Sequence, residues 1–246
     1  MFKLCLDSNE IASSYVVCSF NNWHARLCHI NKKLVKNMSI LGFIPELSLN
    51  DFDKCEFCSQ AKITKNPHKS VARETEKLDL IHSDLCEFDG VLTRNNHRYI
   101  MTFIDDYSGY TYIYLLKHKS EAFSMFRTYL AEIENQFGRK IKRFRSDRGT
   151  EYDNIDFNNF YAANGIIHET TAPYSPEMNG KAERKNRTLT ELLVALMLSS
   201  GASPSWWGEI ILTVNFVLNR VPNAKTRISP YELWKGWKPN VSYFKI

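Results

Sequence analysis

Between residues 78 and 170 the chain alternates between strand-like and helix-like hydrophobic periods, and that alternation restricts it to a mixed α/β fold. Leu78 to Phe88 and Arg98 to Asp105 read as strands. The turn Asp106-Tyr107-Ser108-Gly109 returns the chain through Tyr110 to Leu116, which predicts an antiparallel hairpin rich in aromatic and β-branched residues. A helix follows, with Ser120 as its opening cap, Glu121 in its first turn and Gly138 as its stop. Phe123, Phe126, Leu130, Ile133 and Phe137 fall on one face of it. Ile141 to Ser146 is a fourth strand, Phe157 to Asn164 a short helix and Ile166 to Thr170 a fifth strand. Pro173 and Pro176 break the chain before a long helix from about Asn179 to Leu198. A last helix, Ser205 to Asn219, puts Trp207, Ile210, Ile211, Val214, Val217 and Leu218 on an apolar face, so its tryptophans read as core. This order suits a sheet with helices packed on it.

The first 70 residues differ in character. They are polar, rich in Cys and His, and end in a Lys62-Ile63-Thr64-Lys65-Asn66-Pro67 stretch that reads as a linker. The expected domains are therefore 1–70 and 76–246. With 246 residues, 43% of them apolar, the chain is long enough for a real core and too apolar for disorder. Its longest apolar runs, such as Leu192 to Leu198, are too short to span a bilayer, so no membrane partner is expected. The six cysteines are unevenly spaced and follow no secretory apolar run, which argues for a metal site and an intracellular setting over a disulfide framework.

That site is read from two pairs. His24 and His29 form H-x4-H, Cys55 and Cys58 form C-x2-C, and 25 residues separate them. Two imidazoles and two thiolates are the tetrahedral, borderline-soft set that Zn²⁺ prefers, and the ion would supply folding free energy to a small segment. Cys28, next to His29, stays open as a competing ligand; Cys5, Cys18 and Cys86 read as ordinary thiols.

Three acids stand where packing does not call for them. Asp84 lies on the first strand, Asp147 at the end of the fourth, and Glu183 in the first turns of the long helix, with 35 residues between Asp147 and Glu183. The net charge of +5 is modest, but its distribution is uneven. Six Lys or Arg crowd Asp147 between Arg139 and Arg148, and four crowd Glu183 between Lys181 and Arg187. A simply solvated face usually interleaves both signs, so these clusters call for an explanation of their own.

Ser146-Asp147-Arg148-Gly149-Thr150-Glu151-Tyr152 and Asn179-Gly180-Lys181-Ala182-Glu183-Arg184-Lys185-Asn186-Arg187 resemble the motifs of copia-type LTR retrotransposon integrases. So do Ile104-Asp105-Asp106-Tyr107-Ser108, Pro230-Tyr231-Glu232-Leu233-Trp234 and the His/Cys pairs, so the resemblance runs from about Trp23 to the end. It implies an RNase H-like mixed-sheet core, a small helical Gag-pre-integrase zinc module before it and helices after it. It implies that Asp84, Asp147 and Glu183 bind two Mg²⁺ or Mn²⁺ ions for 3′-end processing and strand transfer. The alternative is an inactive relic or a co-opted DNA-binding protein with the same fold. The partners implied are retrotransposon-end DNA, target DNA and further copies of the chain. Lys142, Arg145, Arg148, Asn179, Lys181, Lys185, Asn186 and Arg187 are the candidate DNA contacts. Nuclear location after a cytoplasmic particle stage, and origin as a piece of a Gag-Pol polyprotein or a genomic relic, follow from the same resemblance. Arg148 stands where the family often has Asn, and Cys28 where it has Gly. Asp105 and Asp106 sit at a turn that favours Asp anyway, and His82 either orients a ligand or is structural.

Overall fold

The computed structural model describes residues 19–47, 54–61, 75–88, 90–170, 176–224 and 226–244, with the side chains of 176–179 excepted. The expected linker at 62–67, Cys5, Cys18 and Pro173 lie outside the described residues. Five strands form one sheet: β1 (Leu80–Glu87), β2 (Tyr99–Asp105), β3 (Thr111–Leu116), β4 (Arg143–Ser146) and β5 (Ile167–Thr170). Their spatial order is β3-β2-β1-β4-β5, antiparallel from β3 to β1 and parallel from β1 to β5. This is the mixed sheet expected, and it puts β1 at the centre.

The pleat of β1 sends successive side chains to opposite faces of the sheet. Ile81, Ser83 and Leu85 point to one. That face packs on α4 (Ala122–Phe137) and α5 (Ile155–Asn164), where Phe103, Phe126, Tyr129, Phe144 and Phe157 form the largest aromatic cluster. Phe103 and Tyr129 stack with centroids 4.3 Å apart. A short 3₁₀ turn, Lys119–Glu121, takes the place of the expected Ser120 cap, and Glu121 accepts from the Lys117 backbone N–H. Gly138 ends α4 in the left-handed conformation (φ 61°), as read from the sequence.

His82, Asp84 and Cys86 point to the other face, under the long helix α6 (Pro176–Ser200) and α7 (Trp207–Arg220). Pro176 occupies the first turn of α6, where its missing N–H costs nothing. On α7 the buried set is Trp207, Ile211, Val214, Asn215, Val217 and Asn219, with Ile210 and Leu218 only half-buried. The expected stripe is displaced because Asn215 and Asn219 both donate to the Thr111 carbonyl, while the Thr111 N–H donates to Asn219. These bonds satisfy backbone groups at the open edge of β3. Pro230–Lys235 forms a further helix, α8. It is capped by Ser229, has Pro230 at its first position and ends at Gly236, so that Trp234 is buried against Tyr110 and Phe137.

The N-terminal segment forms α1 (Phe20–Arg26), α2 (Lys32–Ile40) and α3 (Glu56–Ala61). It is less poor in core residues than its composition suggests. Phe20, Trp23, Leu27, Ile30, Val35 and Met38 bury into one cluster with Leu189 and Leu193 of α6 and Ile211 and Val214 of α7. Among the described residues no helix is long and apolar enough to cross a membrane.

Phe126 lies against Phe103, Phe144, Phe157, Phe160 and Tyr161 and is fully buried. Phe126→Ala is expected to lower unfolding stability by about 3–5 kcal/mol, read by urea denaturation. A loss below about 1 kcal/mol would show that this cluster does not carry the sheet.

Candidate active site and metal centre

His24, His29, Cys55 and Cys58 come together, with one ligand atom from each lying within 4.8 Å of all the others. Cys58 Sγ lies 3.3 Å from His24 Nε2, and Cys55 Sγ lies 3.4 Å from His29 Nδ1. His24 is fixed in that orientation because its Nδ1–H donates to the Ile30 carbonyl at 2.9 Å. Burial lowers the pKa of both rings, and for His29 the neighbouring His24 adds to it, pushing the value down to about 4. Both rings are thus neutral at pH 7, as metal ligands must be. The donor set can hold a metal ion.

The end of α1 makes this geometry. The Cys28 N–H bonds to the Ala25 carbonyl and the His29 N–H to the His24 carbonyl, a Schellman closure with Cys28 (φ 53°) and His29 (φ 60°) both left-handed. Glycine relieves strain at such a position, which accounts for the Gly that the resemblance places there. The Cys28 side chain enters the apolar core instead of the cluster, and burial pushes its thiol up to about 12. It is not a competing ligand here.

Asp84 lies on the α6-facing side of β1. Burial raises its carboxyl above the usual range, and Asp147, just beyond the end of β4, raises it further. The two acids therefore share one electrostatic site. Asp147 accepts from the Gly149 N–H in a tight exit from the strand. Glu183 is exposed on α6, and its carboxylate does not join the other two in a ligand cluster. The α6 residue that meets Asp84 is Asn186, whose Nδ2 donates to Asp84 Oδ2 at 2.7 Å and to Cys86 Sγ at 3.2 Å. Cys86 is thus not a bystander: its Sγ–H faces Asp84 Oδ2 at 3.7 Å, and burial and Asp84 push its thiol up to about 12.

Several expected DNA contacts are placed elsewhere. Asn186 is buried with Ala182, Leu189 and Leu193 on the inward face of α6, not on the outer flank with Glu183. Arg145 is buried and its Nε donates to Glu169 of β5 at 2.9 Å, because β4 and β5 set these residues side by side. Lys181 reaches Asp106, Lys142 pairs with Asp79 while staying exposed, and Lys185 is half-buried, its pKa pushed down to about 8 by burial and Lys181. Arg148 is exposed and Arg187 half-buried; the Asn179 side chain lies outside the described ones. Asp105 is used up by the Leu78 N–H and by Ser108, which donates from both its N–H and its hydroxyl. His82 donates to Asp106 at 2.9 Å, which makes it structural in this arrangement.

Two family descriptions match the chain: the GAG-pre-integrase domain over residues 1–63 and the Integrase core domain over residues 74–176. The Pol polyprotein from the tobacco (Nicotiana tabacum) transposon TNT 1-94 is 32% identical over 241 residues, which is 96% of this chain. The chain belongs to the integrases of retrotransposon Pol polyproteins. The Arabidopsis thaliana RE1 Pol polyprotein is 30% identical over the same share of the chain, and the yeast (Saccharomyces cerevisiae) Ty1-ML2 Gag-Pol polyprotein 27% over 84% of it. This integrase segment spans only 18%, 16% and 12% of those three proteins' lengths. Its fold is that of solved retroviral integrases. An intasome of simian T-cell lymphotropic virus with PP2A regulatory subunit B56 gamma matches 78% of the chain, with 66% of its own covered, at a TM-score of 0.56 and 19% identity. The HTLV-2 integrase catalytic core with magnesium, in its trimeric form, matches 65%, with 99% of its own covered, at 0.51 and 16%. Asp84 and Asp147 fall inside the matched Integrase core domain, and Glu183 lies seven residues beyond it.

Within this integrase segment Asp106 accepts from His82, Lys181 and Thr75. Burial alone would raise its carboxyl, but the His82 hydrogen bond and the Lys181 charge hold it well below the usual carboxylate range. A depressed pKa contributes stability that is complete above the unfolded value of about 4 and is lost as the pH falls toward the lower folded value. Asp106→Asn is therefore expected to lower the Tm at pH 7 and to flatten its decline below about pH 4. Parallel acid limbs for the variant and the parent would exclude this contribution.

Proposed function

We propose that this chain carries the DNA-joining active site of a retrotransposon integrase, with Asp84, Asp147 and Glu183 as its metal-binding carboxylates. The observation that carries the reading is the central sheet pairing that sets Asp84 beside Asp147 under the helix bearing Glu183. A half-buried carboxylate whose proton affinity burial and a second carboxylate raise is a hard oxygen donor, and a divalent cation relieves that repulsion. Glu183 would complete the set by turning inward, one helical turn before the Asn186 contact. Two Mg²⁺ or Mn²⁺ ions held there would supply the charge that activates an attacking oxygen and offsets charge on the leaving oxygen at phosphorus.

The chain's own groups do the rest. Asn186 fixes the Asp84 oxygen that faces α6, so that carboxylate meets its ligand without reorganising. The exposed Arg148 and Lys142, and the half-buried Lys185 and Arg187, would hold phosphates of transposon-end and target DNA, contacts that give affinity and register without sequence choice. Water attacks in 3′-end processing and the processed 3′-hydroxyl attacks in strand transfer, with no covalent enzyme intermediate. The His24, His29, Cys55 and Cys58 set fits Zn²⁺, a structural ion that ties α1 to α3 and, through their shared core, braces α6. Assembly of several copies on DNA, in the nucleus after a cytoplasmic particle stage, belongs to the same proposal, as does a division into a zinc module at 1–70 and a catalytic unit at 76–246.

A strand-joining assay on labelled transposon-end DNA with Mg²⁺ or Mn²⁺ tests the catalytic reading. Asp147→Asn and Glu183→Gln are each expected to lose at least about 100-fold in joining while keeping the parent's circular dichroism and Tm, since one oxyanion-scale electrostatic contact is worth that much. Joining that persists in both variants would refute the assignment of the acids. Chelation of zinc, or Cys58→Ser, is expected to lower the Tm by several degrees, a change that calorimetry reads. An unchanged melting profile with the metal demonstrably removed would refute a structural zinc site.

A further inference from the structure

Two side chains tie the start of α6 to the sheet, one on each side of Glu183. Three residues after it, Asn186 reaches Asp84. Two residues before it, the Lys181 ammonium donates to Asp106 Oδ1 at 2.9 Å and also to the Asp106 backbone carbonyl. The same Oδ1 accepts from His82 Nε2 at 2.9 Å, and His82 is wholly buried on β1, two residues before Asp84 and on the same face. A continuous polar chain thus runs from α6 through the turn after β2 to the strand that carries Asp84.

Among the described side chains, apolar packing contributes little at this end of the helix. Gly180 has nothing within 4 Å of where a Cβ would stand, and the buried apolar residues of α6 are Ala182 and then Leu189, Leu193 and Ala195. Active constellations must be held to within about 0.5 Å, so the polar contacts are what fix this turn. We propose that Lys181, with Asp106 and His82, is a positioning clamp that sets where α6 presents Glu183 to Asp84 and Asp147, instead of a contact to DNA phosphate. This rests on reading those three acids as the metal-binding set. Asp106 is nearly buried, and removing the ammonium would leave its charge short of a cationic partner, so the lysine serves the protein before it serves a ligand.

The test is Mn²⁺ titration calorimetry on the full chain loaded with Zn²⁺, for the parent, Lys181→Met, Lys181→Arg and Glu183→Gln. Beside it runs the salt dependence of DNA binding. Lys181→Met is expected to weaken Mn²⁺ binding about 10-fold or more, the scale on which supporting groups act on metal sites. Lys181→Arg, which keeps the ion pair, is expected to restore most of it, and the salt slope of DNA binding is expected not to move. Lys181→Met that binds Mn²⁺ like the parent overturns the clamp. A salt slope reduced by about one in that variant would mark Lys181 as a phosphate contact and overturn it too. A parent that binds no Mn²⁺, or Glu183→Gln that binds it equally well, overturns the reading of the acids and the clamp with it. If Lys181→Met loses its circular dichroism, Asp106→Asn, which keeps the shape and removes the charge, carries the same titration.

Discussion

The rest of the structure depends on the pairing of β1 along both of its edges. A strand with two hydrogen-bonded neighbours cannot slip by one residue without exchanging its faces. Here that register sends Ile81, Ser83 and Leu85 toward α4 and α5, and His82, Asp84 and Cys86 toward α6. Even the polar residue on the aromatic side is satisfied, since the Ser83 hydroxyl meets the buried Tyr152 hydroxyl at 2.9 Å. The aromatic layer therefore holds the sheet rigid from behind, while the opposite face is free to carry ionisable groups. Asp84 owes its raised pKa to that arrangement: it is half-buried because α6 covers it and close to Asp147 because β4 runs parallel beside it.

The second dependence runs through α6. One side of this helix meets β1, and its middle shares an apolar cluster with α1, α2 and α7. The His/Cys cluster sits at the edge of that same core, so fixing α3 to the end of α1 also fixes what α6 packs against. A metal bound there would act on the acidic site only through packing, which transmits small displacements because interiors are nearly incompressible. The segment expected to be a separate unit is in this sense a brace for α6.

Much of this was legible in the sequence. Strand and helix order followed from the switch between period 2 and period 3.6, and the metal cluster from ligand chemistry and spacing. Asp84 and Asp147 could be named because packing has no use for a carboxylate at either place. What the sequence hid were relations that depend on rotation about a helix or on register between strands. Asn186, expected as a DNA contact, is turned toward the sheet instead. The spacing Ala182, Asn186, Leu189, Leu193 is itself a helical stripe, with the asparagine as its polar member. Cys86 was overlooked although period 2 places it on the same face as His82 and Asp84. The Asn215 and Asn219 bonds to Thr111 were out of reach, because nothing local says which strand edge α7 will meet.

The basic runs are the clearest case of a pattern with two meanings. On β4 the alternation of Lys142, Arg143, Phe144 and Arg145 sets Arg143 and Arg145 on one side, and both guanidiniums meet Glu169 on the neighbouring strand. Lys181 meets Asp106. These cations hold the sheet and the helix start together, and a buried pair broken on one side is costly. Count alone therefore overstates the charge this face offers to a phosphate backbone. Around the acids, Arg148, next to Asp147, is exposed, and Lys185 and Arg187, two and four residues after Glu183, are half-buried. On the proposed reading, a small number of phosphate contacts grouped around the carboxylates favours register over affinity and leaves the base sequence unread.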